Sequence, residues 1–194
     1  PEDEAVLLDY INAAPENVKF IIAPHKIEPD KISAFINKIV KKTVLHSHKD
    51  EVNISEYDVL IIDCIGLLSK LYSYADIAYV GGAMGKTGLH NILEPATFGL
   101  PIVIGKNYQE FSEAISLREL GGLYSIKNAL ECGDIFNKLL QDSFFRNKTG
   151  MISAHFVNKN IGATGKIVNY LENYSKWKKY FEKNSLIFFE ITWY

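Results

Sequence analysis

Most of the side chains able to do chemistry fall in one stretch, 81–95. Gly81, Gly82, Ala83, Met84, Gly85, Lys86, Thr87 and Gly88 run directly into Leu89, His90, Asn91, Ile92, Leu93, Glu94 and Pro95. Glycines permit positive φ and close backbone approach. Lys86 adds a full positive charge, and the free N–H groups of a following helix attract an anion such as phosphate. His90 and Glu94 are four apart and Asn91 and Glu94 three apart, so on a helix over 89–98 all three turn toward one crevice. A carboxylate in that crevice suits ribose hydroxyls, as in dinucleotide folds. The bland alternative is a capped helix with an exposed histidine and a solvated glutamate. The glycine-rich loop immediately before it favours a ligand.

Two familiar phosphate motifs fail here. The ending Gly85-Lys86-Thr87 fits a P-loop, but that motif needs a glycine where Val80 stands. The GxGxxG fingerprint fails because Ala83 and Met84 separate Gly82 from Gly85. An anion is expected, but neither a triphosphate nor a nicotinamide cofactor is implied.

Other polar positions are weaker signals. Pro24-His25-Lys26 and Gly105-Lys106-Asn107-Tyr108 each follow an expected strand and point to the same crevice. Asp63 reads as a cap for the next helix. His46 and His48 read as surface residues, with no further pair to complete a metal site. Cys64 and Cys132, without CxxC spacing, read as small core hydrophobes.

The elements that must position these residues alternate. Helices are expected over 3–14, 29–42, 65–74, 89–98, 108–120, 128–141, 143–160 and 163–173. Strands are expected over 18–23, 43–46, 59–62, 77–80, 101–104 and 123–126. Strands joined by helices imply βαβ units and a parallel sheet covered on both faces. The expectation is α/β, a Rossmann-like parallel sheet of about six strands flanked by helices. Ligands then sit beyond the carboxyl ends of the strands. The domain is expected over 1–174. The tail 175–194, rich in apolar residues such as Trp177 and Phe181, either packs back or docks on something outside the chain.

Composition narrows the classes. Of 194 residues, 21 are Lys or Arg and 23 Asp or Glu, a net charge of -2. That leaves no cationic excess for general nucleic-acid binding. No run of about 18 apolar residues exists to span a bilayer. The start Pro1-Glu2-Asp3-Glu4 lacks the basic and apolar character of a signal peptide.

The sequence resembles a known family at several motifs in register. These are Val80-Gly81-Gly82, His90-Asn91-Ile92-Leu93-Glu94-Pro95-Ala96, and Gly99 with Pro101-Ile102-Val103-Ile104-Gly105. Ala23-Pro24-His25, Ala75-Asp76-Ile77-Ala78 and Glu119-Leu120-Gly121-Gly122 extend the similarity. The family is that of the 3-deoxy-D-manno-octulosonic acid (Kdo) transferases, GT-B enzymes that move Kdo from CMP-Kdo to a lipid A precursor of lipopolysaccharide. The resemblance is to their C-terminal domain.

It implies that Gly85, Lys86, Thr87, Gly88, His90, Asn91 and Glu94 hold the CMP part of the donor, with Pro24 and His25 facing the nucleotide. The family commonly reads Pro-Arg-His where this chain reads Pro24-His25-Lys26, so one-point contacts replace a bidentate arginine. The resemblance also implies an inverting reaction without metal or cofactor. The base and the acceptor site for the lipid A precursor are expected on an N-terminal domain outside this chain. No catalytic residue is then expected here, and the chain alone should be soluble and bind CMP without turnover. The full-length protein is expected at the cytoplasmic face of the inner membrane. A GT-B domain for a UDP- or GDP-sugar, and a non-catalytic nucleotide-binding module, remain the alternatives.

Overall fold

The computed structural model describes residues 2–173, and the tail 175–194 lies outside the described residues. The chain divides into two compact units, 1–158 and 159–194. The described part of the second is α8 (Ala163–Asn173), an amphipathic helix.

The first unit opens with α1 (Glu2–Ala13), whose first turn holds Glu2, Asp3 and Glu4, carboxylates that complement the positive end of a helix. Its Tyr10 and Ile11 are buried. The chain then alternates: β1 (Phe20–Ile22), α2 (Pro29–Ile36), β2 (Thr43–Leu45), β3 (Val59–Ile61), α3 (Leu68–Leu71), β4 (Ala78–Val80), α4 (Leu93–Thr97), β5 (Ile102–Ile104), α5 (Ser112–Leu120), β6 (Leu123–Ser125), α6 (Ala129–Gln141) and α7 (Ser143–Lys159).

The fold is α/β with six parallel strands flanked by helices. The strands pair as two ladders of three, β1-β3-β2 and β4-β5-β6. Phe20 of β1, Tyr79 of β4 and Val103 of β5 nonetheless share one apolar cluster with Tyr10, Cys132 and Leu139. β5 is buried along its whole length, as a strand covered on both faces should be. The edge strand β1 leaves Ile21 exposed.

Four helices are shorter than expected, among them α5, which begins at Ser112 and not at 108. α2 ends at Ile36, α3 is one turn followed by a 3-10 turn over Tyr72–Tyr74, and α4 has five residues. α6 is anchored at its start by Asn128, whose side chain accepts from the Glu131 N–H at 2.9 Å, while Glu131 accepts from the Lys127 N–H at 2.9 Å. That exchange is a variant of the capping box. Against the β4-β5-β6 face lie Ile152 and Phe156 of α7, whose buried Ser153 donates to the Gly122 carbonyl at 2.9 Å.

Candidate functional site

β4 ends in the glycine-rich loop, which closes on itself. The His90 N–H donates to the Gly81 carbonyl at 3.1 Å, and the Thr87 hydroxyl donates to the Gly82 carbonyl at 3.2 Å. Gly82 has φ 93°, and a Cβ there would lie 2.0 Å from the Gly88 carbonyl oxygen, so only glycine fits. Gly85 is buried, whereas Lys86 and Thr87 form an exposed crest.

Two neighbouring elements grip this loop. From the loop after β5, the Asn107 side chain donates to the Met84 and Gly85 carbonyls at 3.1 and 2.7 Å, and its N–H donates to the Ala83 carbonyl at 2.8 Å. Gly105 makes this approach possible: a Cβ there would stand 2.3 Å from the Met84 nitrogen. From α1, Asp3 accepts from the Gly82 N–H at 3.1 Å and from the Tyr79 hydroxyl at 2.7 Å. Burial, then the bond to Asp3, pushes the Tyr79 phenol far above its ordinary value.

The loop after β1 reaches the same place. The rings of His25 and His90 lie 4.6 Å apart with a 34° tilt. Both residues are exposed at the crevice mouth, and Pro24 beside them is half-buried. Desolvation, then the neighbouring His25, holds His90 below the usual imidazole value, with Asp3 opposing.

The expected convergence of His90, Asn91 and Glu94 on one helix face does not occur. α4 begins only at Leu93, because residues 81–92 are bound into the closed loop. The Asn91 carboxamide oxygen caps the short helix instead, accepting from the Leu93 N–H at 2.9 Å. Glu94 accepts from the Ser69 hydroxyl of α3. Nearby Tyr72 is pushed up to about 12, by burial first and the Glu94 charge second. The anion cradle expected from backbone N–H groups is therefore partly taken, at Gly82 by Asp3 and at Leu93 by Asn91. Cationic or potentially cationic side chains at the mouth are Lys86, His25 and His90.

Asp63 caps a different element from the one expected. Its carboxylate accepts from the Ser47 N–H at 3.0 Å and the Ser47 hydroxyl at 2.6 Å, holding the start of the 3-10 turn His46–Glu51. Cys64, expected in the core, is half-buried, with its sulfur 3.4 Å from Nδ1 of His46. His46 is correspondingly half-buried, while His48 is exposed.

Sequence reasoning singled out the crest and both flanking loops but missed Asp3 and gave Asn107 no role. Acids in the first turn of a helix carry no signal of a tertiary partner 79 residues away.

No family model matches the chain. Among curated proteins it is similar to a 3-deoxy-D-manno-octulosonic acid transferase of Chlamydophila psittaci, 36% identical over 58% of this chain and 26% of that protein. It is similar to the Haemophilus influenzae enzyme of the same name, 27% identical over 89% of this chain and 42% of the relative. A bifunctional glycosyltransferase/methyltransferase of Fusobacterium nucleatum is 30% identical over 67% of this chain and 20% of its own length. The chain thus spans less than half the length of these relatives. In fold, it is similar to the C-terminal CMP-Kdo binding domain of WaaA from Acinetobacter baumannii, with TM-score 0.70, 22% identity and coverage of 81% and 83%.

Proposed function

We propose that this chain, similar to Kdo transferases, is the donor-binding part of a glycosyltransferase that takes Kdo from CMP-Kdo. The observation that supports this reading most is the 177-residue similarity to a Kdo transferase, which includes all three loops of the candidate site. In this reading the nucleotide lies across the crest, with its phosphate toward Lys86, Thr87 and Gly88. His25, from the opposite loop beside Pro24, and His90, at the end of the glycine-rich loop itself, supply one-point contacts. Glu94, already held by Ser69, turns its remaining acceptor capacity to the ribose hydroxyls. Asn91 keeps its carboxamide N–H groups for the base or ribose while its oxygen caps α4.

Transfer itself needs a base to deprotonate the acceptor hydroxyl. We place that base, and the site for a lipid A precursor, on a part of the protein outside this chain. The reaction would invert the anomeric carbon without metal or cofactor. The leaving CMP carries negative charge, and Lys86 would stabilise it electrostatically as it develops. The whole protein would act at the cytoplasmic face of the inner membrane, held there by that other part. Among the described residues no helix is long and apolar enough to cross a membrane.

Calorimetric titration of the 194-residue chain with CMP, UDP and GDP tests the reading. CMP should bind, with UDP and GDP at least tenfold weaker. Lys86→Ala and Glu94→Ala should each weaken CMP about tenfold, the size of one charged hydrogen bond. Preference for a diphosphate nucleotide would replace CMP-Kdo by another sugar donor, and equal binding by both variants would remove these residues from the site.

A further inference from the structure

The glycine-rich loop is also held by a residue of α1. Asp3 uses both carboxylate oxygens, one on the Gly82 N–H and one on the Tyr79 hydroxyl. Its carboxyl carbon lies 3.9 Å from where a Cβ on Gly81 would sit. Glu2, one residue earlier, sets its carboxylate 2.9 Å from the equivalent point on Gly85. The first turn of α1 therefore spans the underside of residues 81–85.

On the other side Asn107 takes the carbonyls of Ala83, Met84 and Gly85. Asp3 holds the loop by an N–H group, and a residue of the β5 loop holds it by its C=O groups. Gly82 is the pivot. It sits at a left-handed φ where an added Cβ would collide with the Gly88 carbonyl, and a charge-assisted bond to Asp3 holds its peptide plane. The Tyr79 hydroxyl, pulled out of water, needs the same acceptor.

We propose that Asp3 is a positioning residue for donor binding: it never touches the donor, and it sets the height and orientation of the Gly85–Gly88 crest through Gly82. This rests on the reading above that the crest receives the nucleotide. It also assigns the Gly82 N–H to the protein itself, so that this donor does not count among those available to an anion.

The test compares the 194-residue chain with Asp3→Ala, Asp3→Asn and, as control, Asp9→Asn on the same helix. Three quantities are read: CMP affinity, hydrogen exchange of residues 81–88, and exchange of β5 and α6. In Asp3→Ala the loop amides should exchange at least tenfold faster and CMP affinity should fall about tenfold, the scale of a lost charged hydrogen bond. The β5 and α6 amides should keep their rates. Asp3→Asn keeps an oxygen for the Gly82 N–H and should recover most of both losses, and Asp9→Asn should change neither. Unaltered loop exchange in Asp3→Ala overturns the proposal, as does a loosened loop with undiminished CMP affinity. Failure of the unsubstituted chain to bind CMP overturns the donor reading instead. If Asp3→Ala does not fold, Asp3→Ser decides, because its single shorter hydroxyl cannot serve both the Gly82 N–H and the Tyr79 hydroxyl: affinity and loop exchange identical to the control would reject the role.

Discussion

His90 sits where charge and solvent compete. Desolvation and His25 hold its imidazole below the ordinary 6.5. The native state therefore keeps His90 neutral to lower pH than the unfolded chain does. Between the depressed native value and about 6.5 the unfolded chain binds more protons, so stability falls as pH drops through that window and is full above it. Denaturant midpoints measured from pH 8 to pH 5 should fall less steeply for His90→Gln than for the unsubstituted chain. An identical acid-side slope would show that the ring does not feel its surroundings in this way. Binding carries the opposite sign. An anion laid against His90 favours its protonated ring, so CMP affinity should rise as pH falls from 8 toward 6. At this scale the sequence was legible for side chains whose chemistry is their own, such as Lys86 and His25. It was not legible for Asp3 and Asn107, whose roles are set by partners distant in the chain.

Among the elements, the strands are legible where local chemistry fixes them. Four of the six strands, β1, β4, β5 and β6, lie within two residues of a proline or glycine, as with Ile102–Ile104 between Pro101 and Gly105. α4 shows what periodicity misses. Leu89, Ile92 and Ala96 are all buried, so the helical spacing was right about which side chains face the core. The backbone before Leu93 is nonetheless committed to the loop, through His90 to Gly81 and through the turn at Gly82. Spacing reports burial, and only the hydrogen-bond partners report conformation. The same distinction separates two glycines. Gly105→Ala would drive a Cβ to 2.3 Å from loop backbone. It should cost about 1–3 kcal/mol as an overpacked site and weaken CMP binding with it. Gly133 lies inside α6, where an added Cβ would meet nothing within 4 Å, so Gly133→Ala should stabilise by about 0.5–1 kcal/mol. Thermal and denaturant melts of the pair should move in opposite directions, and movement in the same direction would reject the close-approach argument.

At the scale of the molecule the question is whether two three-stranded ladders behave as one cooperative body. Among the described residues no ladder hydrogen bonds join β1 to β4. What joins them is apolar: Phe20, Tyr79, Val103, Tyr10 and Leu139 gather around Cys132, which is fully buried. Burial pushes that thiol up to about 11, so it is both hidden and unreactive in the native state. Cys64, half-buried beside His46, is the accessible thiol. A thiol reagent at pH 8 should therefore label Cys64 promptly and Cys132 only through unfolding. With the usual domain stability of about 5–10 kcal/mol, Cys132 should react roughly ten thousand to ten million times more slowly than in the unfolded chain. If the shared cluster couples the ladders, Phe20→Ala in the first and Val103→Ala in the second should accelerate Cys132 by similar large factors. Each deletes a core side chain, and such changes cost about 2–5 kcal/mol, or between thirty- and several-thousand-fold. Acceleration by Val103→Ala alone would mean that the β1-β3-β2 ladder opens separately, leaving the loop carrying His25 free to move against the glycine-rich loop. Equal acceleration would mean that the two halves of the crevice hold their spacing for as long as the domain is folded.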